Sequence, residues 1–435
     1  MVKLSSWGRL SHNQHKLVEL GDRSGASKRI AGNQPGICFG MGRSYGDVCL
    51  NSNGVSWQTR GMDRLISFDD TGGLLHCEAG ALLRDIQRLL VPRGWMLPVT
   101  PGTQLITVGG AIANDVHGKN HHGHGTFGNH VISVTLQRTS GEAVICNTTD
   151  LNNELLKATI GGLGLTGVIL DAKIQLRRIN NAWLATETIP YRSLHEFFEL
   201  SEHSESDWEH TVSWIDCLSG QQPRGIFLRA NHASQVPPGA RLPKTGGLSM
   251  PLTPPLSLVN RLSLKPFNAA YYALNARKAG PGHAHYESFF YPLDSLQHWN
   301  RMYGPRGFYQ YQCVVPPADC QDAVQAMLQE ISRSGEGSFL AVLKTFAERQ
   351  APGMLSFPMA GATLALDFPN NGQRTIALMD RLDKIVSEAG GRLYPAKDAR
   401  MSATMFEQGY PRLGEYLKHR DPGISSDMSR RLMGS

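Results

Sequence analysis

A chain of 435 residues, 41% hydrophobic and 18% charged, is too long for one ordinary core and divides into two or three. Its formal charge of +6 is small for this length and argues against a nucleic-acid binder working by bulk charge. Seven scattered cysteines without a Cys-x-x-Cys pair speak against a disulfide framework or a zinc ribbon, and no apolar run is long enough for a membrane span. Residues 1–9 lack the apolar core of a secretion signal, so a location in the cytoplasm, or peripheral at the inner membrane, is expected.

In chain order, β-branched and apolar residues at 37–39 predict a strand that runs into the glycine-rich loop Gly40-Met-Gly-Arg-Ser-Tyr-Gly-Asp47. Residues 82–90 have helical spacing. The run from Thr100 to His122 then combines the turn Pro101-Gly102, the bare backbone of Gly109-Gly110-Ala111, and a polar cluster of His117, Lys119, His121 and His122. Glycine lets a ligand approach the backbone closely, and histidine and lysine beside it supply protons or positive charge. A strand is predicted at 131–136, and a third glycine cluster, Gly161-Gly-Leu-Gly-Leu-Thr-Gly167, precedes another at 168–176. Three such loops suit a long ligand, such as a flavin dinucleotide, lying between them.

From Trp183 onward the texture changes. Strands are predicted at 308–315, 339–343 and 362–368, and helices at 321–331 and 375–389. Their order predicts an antiparallel sheet covered on one side, and alternation puts Gln310 and Gln312 on one face of their strand. No acid stands between Asp216 and Glu287. That segment carries Arg224, Arg229, Arg241, Lys244, Arg261, Lys265, Arg277 and Lys278 among Leu248, Met250, Leu252, Leu256, Leu258, Val259, Leu262 and Leu264. Residues 235–282 read as a long mobile loop with a possible membrane-surface role.

The three glycine loops, with Pro101-Gly-Thr103, Val108-Gly-Gly-Ala-Ile-Ala113 and Phe127-Gly-Asn-His-Val131 between them, resemble the FAD-binding domain of the vanillyl-alcohol oxidase and p-cresol methylhydroxylase type. Over nearly its whole length the chain resembles the decaprenylphosphoryl-ribose 2'-oxidase family. The matches are Trp7-Gly-Arg9, His117-Gly-Lys-Asn-His-His122, Trp299-Asn-Arg-Met-Tyr-Gly-Pro305, Tyr309-Gln-Tyr-Gln312, Tyr394-Pro-Ala-Lys-Asp398 and Ser426-Asp-Met-Ser-Arg-Arg-Leu432.

The resemblance implies an α+β, two-domain flavoprotein. Its FAD-binding domain spans residues 1–180, an antiparallel-sheet substrate domain spans 181–390, and a C-terminal segment, 391–435, returns to the first. FAD is expected without a covalent link, because Arg43 stands where related sugar oxidases carry a flavin-linking histidine. The implied cofactor contacts are Gly40, Met41, Gly42, Arg43, Ser44, Tyr45, Gly46, Asp47, Gly102, Thr107, Val108, Gly109, Gly110, Asn114, Asp115, Val116, His117, Ile169 and Tyr394.

The implied reaction is oxidation of the 2'-hydroxyl of a polyprenyl-phosphoryl-β-D-ribose to the 2'-keto sugar. This would be the first half of an epimerisation toward the arabinose donor of cell-envelope glycans, completed by an NADH-dependent keto-reductase partner. Lys397, Tyr45 and His117 are the implied catalytic residues, with Lys397 first choice for orienting the hydroxyl and accepting its proton. Gln310, Gln312, Lys344, Thr363, Ala365 and Lys397 are the implied substrate contacts. Thr363 and Ala365 depart from the asparagine and cysteine of the actinobacterial enzymes. His121 and His122 are expected to be structural, with no metal and no nucleic acid. An FAD-dependent oxidase of a soluble alditol or aldonolactone, and a non-catalytic flavin-binding protein, are the alternatives.

Overall fold

The computed structural model describes residues 1–149, 152–243 and 247–434; Lys244 of the basic segment lies outside them. Two larger sheets make up most of the N-terminal part, beside the small pair Trp95–Met96 and Arg177–Arg178. In one, Gly36–Phe39 and Gln14–Glu19 both pair in parallel with Val55–Gln58. The other is antiparallel and five-stranded, in the order Leu65–Asp69, Leu74–Glu78, Val168–Gln175, Val131–Gln137, Ala143–Asn147. The expected helix at 82–90 forms as Leu83–Leu90, burying Leu83, Ile86 and Leu90, the i, i+3, i+7 stripe that its spacing implied.

Beyond residue 180 the chain builds an eight-stranded antiparallel sheet. From edge to edge it runs Gly280–His285, Trp183–Tyr191, Gly225–His232, His210–Ile215, Ala341–Phe346, Gly361–Pro369, Phe308–Val315, Arg392–Leu393. Leu364, Leu366 and Phe368 share one buried core with Val324, Leu328 and Ile331 of helix Cys320–Ser334 and with Leu378 and Leu382 of helix Gln373–Glu388. Strand alternation therefore turns Thr363, Ala365 and Asp367 to the opposite face. In register with them are Gln310 across from Asp367, Gln312 across from Ala365, and Lys344 across from Thr363. This polar face looks toward the N-terminal glycine loops. The last residues fold back onto the first sheet, where Ser425 N–H donates to Gly36 and Asp427 receives Ser52.

Two expectations need correction. The segment 235–282 is not a continuous loop. Asn260 caps a helix, Arg261–Ala276, by accepting the N–H groups of Leu262 and Ser263, and Gly280–His285 adds the edge strand beside Trp183–Tyr191. Only Leu264 and Asn268 of that helix are buried, and Val259 is buried too, whereas Leu248, Leu252, Leu256 and Leu262 are 82, 74, 78 and 87% exposed. The helix contains Pro266, which removes an internal hydrogen bond and hides the helical pattern. The strand expected at 339–343 runs Ala341–Phe346, so Lys344 lies inside it. No helix among the described residues is long and apolar enough to cross a membrane.

Candidate active site

The three glycine loops converge because each has been stripped of side chains where backbone meets backbone. A Cβ on Gly40 would come within 2.7 Å of Thr107 Oγ1, and one on Gly46 within 1.6 Å of the Asp398 carbonyl oxygen. Gly42 has φ +58°, a region that disfavours other residues. Thr107 caps the short helix Val108–Ala113 by accepting Gly110 N–H at 3.1 Å, while Gly109 N–H donates to Ala79. The Gly161 cluster docks on the same helix through Gly161 N–H to Ile112 and Leu163 N–H to Ala113.

The expected cofactor residues divide into two groups. The loop Gly40–Gly46 packs on Thr107 and Asp398, a Cβ on Gly102 would meet nothing within 4 Å, and Asn114 Oδ1 is buried without a partner among the described residues. Tyr394 stacks on Phe357 at 4.6 Å and donates its hydroxyl to the Asn114 carbonyl at 2.8 Å. Arg43 lies 4.2 Å from the Trp7 ring, a cation near the loop without a competing carboxylate bond among the described residues. The others turn inward. Val108 is core, Val116 packs on that core and Ile169 is buried there. Asp115 receives Gly128 N–H at 2.8 Å and Ser356 Oγ at 2.5 Å, and Asp47 is held by Arg431 at 2.8 and 3.0 Å. Bare glycine backbone, an orphaned acceptor and a nearby guanidinium fit a flavin dinucleotide.

The polar face of the sheet meets the His117 loop. Lys344 Nζ lies 3.2 Å from His117 Nδ1 and donates to the Gly118 carbonyl at 3.1 Å. Gln312 lies 3.0 Å from His117 Nε2 and 3.3 Å from Thr363 Oγ1. A neutral imidazole has one N–H and one lone pair. Two donors, Lys344 Nζ at Nδ1 and Gln312 Nε2 at Nε2, therefore compete for one ring lone pair, and the tautomer follows from which of them it meets. Burial, then Lys344, His121 and Lys397, hold His117 well below the ordinary imidazole range. Burial also brings Lys344 down to about 7, with Lys397 adding repulsion.

Lys397 Nζ sits 4.0 Å from the centre of the Tyr45 ring, so two of the three expected catalytic side chains touch directly. The third, His117, faces Lys344 and Gln312 instead. One functional neighbour escaped the sequence reading. Asp367, wholly buried, accepts from Gln310 Nε2 at 2.8 Å. Its alternation with Thr363 and Ala365 was the signal that should have included it.

The remaining basic residues of the loop bond neighbouring backbone or pack on a ring. Lys119 donates to the Phe289 and Phe290 carbonyls, His122 Nε2 lies 2.7 Å from the Trp208 carbonyl, and His121 packs on Phe346 at 4.5 Å. Among the described residues one group, Glu209, His210 and His232, is spaced for a metal ion, but Arg177 already neutralises Glu209.

Comparison with known proteins fits this geometry. Residues 28–147 match the model of an FAD-binding domain family. A decaprenylphosphoryl-beta-D-ribose oxidase of Mycolicibacterium smegmatis is 35% identical, across 99% of this chain and 97% of its own. The chain belongs to the decaprenylphosphoryl-β-D-ribose oxidase family. Like that family's FAD-binding module, it takes FAD as cofactor and is an FAD-dependent oxidoreductase acting on CH–OH groups. An uncharacterized protein from Streptomyces coelicolor is 31% identical across 80% of this chain and 99% of its own. By contrast, L-gulonolactone oxidase of Scyliorhinus torazame is 28% identical over only 31% of this chain and 30% of its own. The likeness to the decaprenylphosphoryl-β-D-ribose oxidase family thus extends over both the N-terminal part and the eight-stranded sheet.

Proposed function

We propose that this enzyme oxidises the 2'-hydroxyl of a polyprenyl-phosphoryl-β-D-ribose to the 2'-keto sugar. The observation that carries the reading is the convergence of Gln312, Lys344 and His117 beside Tyr45 and Lys397, within a chain alike to a ribose oxidase from end to end. FAD, when bound, supplies the acceptor for the hydride leaving C2'. Gly40 to Gly46, Gly102, Gly110, Asn114 and Tyr394 would hold it, without a covalent bond at Arg43, which offers no nucleophile.

In this reading Gln310, Gln312 and Thr363 hold sugar hydroxyls, and Lys344 faces the phosphate as a point charge. Ala365 leaves room beside Gln312. Lys397, which burial lowers to about 8, orients the 2'-hydroxyl over Tyr45 and accepts its proton. His117 remains neutral and fixes Lys344. Residues 1–180 and 391–435 act as the FAD-binding unit, and 181–390 as the substrate unit.

The keto product requires a separate NADH-dependent keto-reductase to complete an epimerisation. The exposed leucines of 248–262, flanked by Arg241, Arg261, Lys265 and Lys278 without an acid, support a peripheral contact with an anionic lipid surface, from which a prenyl chain would enter. Changing Leu252, Leu256 and Leu262 to Ser should abolish co-sedimentation with phosphatidylglycerol vesicles; unchanged binding removes this contact from the reading.

Anaerobic mixing of purified enzyme with polyprenyl-phosphoryl ribose, or with free alditols and aldonolactones, tests the reaction. Bleaching of the flavin by the lipid-linked ribose is expected. Bleaching only by free sugars would assign the alternative substrate class, and none by any sugar would point to a binding protein.

A further inference from the structure

Both ring nitrogens of His210 and both of His232 are buried without a hydrogen bond among the described residues, although buried polar groups are nearly always paired. The two rings stand 5.8 Å apart at 67°, at the ends of neighbouring strands where His210 pairs with Ala230. Glu209 joins them: His210 Nε2 lies 3.1 Å from its Oε1, and one donor atom from each of the three falls within 4.8 Å of the others. The group is held from behind. Glu209 N–H donates to Asn231 Oδ1 at 2.7 Å, which fixes Glu209 to the residue preceding His232, and His210 packs on Phe290 at 4.8 Å. The hydrogen bonds to the carboxylate, from Arg177 and from Asn120 at 3.5 Å, both end on Oε1, and His124 Nε2 stands 3.6 Å from the same oxygen. Oε2 is left for another partner. A small cavity opens beside the three, lined also by Thr100, Asn120 and Phe290. The cations that border it are already engaged, Arg177 on Glu209 and Lys119 on the Phe289 and Phe290 carbonyls.

We propose that Glu209, His210 and His232 bind one divalent transition-metal ion of the zinc type, with a water in the cavity as fourth ligand. Two imidazoles and a carboxylate are a zinc donor set, whereas magnesium and calcium take oxygen ligands. Tetrahedral coordination at about 2.1 Å puts donor atoms about 3.4 Å apart, so small side-chain rotations close the set. Arg177 on Oε1 then acts as outer hydrogen bonds do at metal sites, aiming Oε2 at the ion. The ion has a bracing role. Thr211 N–H donates to the Lys119 carbonyl at 2.7 Å, so the three ligands lie where the loop carrying His117 meets the eight-stranded sheet, and metal binding ties that junction together.

The test uses untagged holoenzyme, stripped with a chelator and then dialysed against micromolar zinc chloride, with bound zinc counted by plasma mass spectrometry. One zinc per chain is expected, and cobalt in its place should give the visible absorption of a tetrahedral site, at longer wavelength than the flavin bands. His232→Gln should weaken zinc binding by a factor of more than about 100, beyond the effect of losing an outer hydrogen bond. His195→Gln, which removes an exposed histidine, should leave it unchanged. The unfolding temperature should rise with zinc in the wild type and stay fixed in His232→Gln. Wild-type protein that retains no zinc would overturn the proposal, and so would zinc retained equally by His232→Gln, the mark of binding at surface histidines. Should that variant not fold, Glu209→Gln reads the same site: it should weaken zinc by about tenfold or more, and unchanged affinity is equally fatal. None of these readouts uses a sugar, so the result stands whether or not ribose is the substrate.

Discussion

The α-carbon of Gly46 lies so close beneath Asp398 that a β-carbon on it would come within 1.6 Å of the Asp398 carbonyl oxygen. One residue back, Tyr45 N–H donates to the Ala396 carbonyl at 3.2 Å. These two contacts set Tyr45 against Lys397, although the residues stand at opposite ends of the chain.

Gly46→Ala must push the two segments apart. The variant should fold, with unchanged far-ultraviolet circular dichroism, while flavin reduction slows by a factor on the order of 10², the effect of an ångström-scale misplacement of catalytic groups. A rate within a factor of about three of the wild type would show that the close approach does not position Lys397.

Arg431 bridges two carboxylates, bonding Asp47 at 2.8 and 3.0 Å and lying 3.0 Å from Asp398. Arg431→Met leaves both largely buried acids without a counter-ion, and urea unfolding should show a loss of about 3 kcal/mol. Arg431→Lys should recover part of it, since an ammonium keeps the charge but loses the paired geometry.

Acid should destabilise the protein well above the usual carboxylate range. Burial holds His121 at about 3, His124 and His232 at about 4, and His117 well below its ordinary value. Unfolded histidine binds its proton near 6.5, so between about pH 6.5 and 4 the unfolded chain takes up protons that these four refuse, at up to about 1.4 kcal/mol per pH unit each. Asp115, raised to about 6, and Asp367, raised to about 7, act in the opposite sense. Four against two leaves a net loss. The urea midpoint should therefore fall between pH 6.5 and pH 5, and a rising midpoint would contradict the burial of these histidines.

Ala365 pairs with Gln312 on the polar face of the sheet, where actinobacterial enzymes of the family carry a cysteine. Nitroaromatic compounds that form a thiol adduct there should leave the mass of this protein unchanged after denaturation. Ala365→Cys should gain one adduct, lost again if the introduced thiol is blocked beforehand by iodoacetamide.

What was legible in the sequence is whatever has a local cause. The glycine loops are visible because backbone contact forbids a side chain, and the strand carrying Thr363 is visible because Leu364, Leu366 and Phe368 alternate with it. The helix Arg261–Ala276 was not, since Leu262 and Leu274 face outward and Pro266 interrupts its pattern. Its cap, Asn260 with Ser263, was the surviving signal. Asp47 was read as a cofactor contact because the family resemblance implied one. Its partner Arg431, 384 residues away, leaves no local trace, and the same holds for Gln310 bonding Asp367.

That separation also has a temporal side. At about 5 to 20 residues per second, a ribosome releases Arg431 roughly 20 to 80 s after Asp47. For that interval the first loop of the cofactor domain waits without its ion-pair partner, and Tyr45 without Lys397. Flavin loading into the finished geometry therefore belongs after synthesis, and a nascent or prematurely ended chain carries an open cofactor loop that quality-control proteases can recognise.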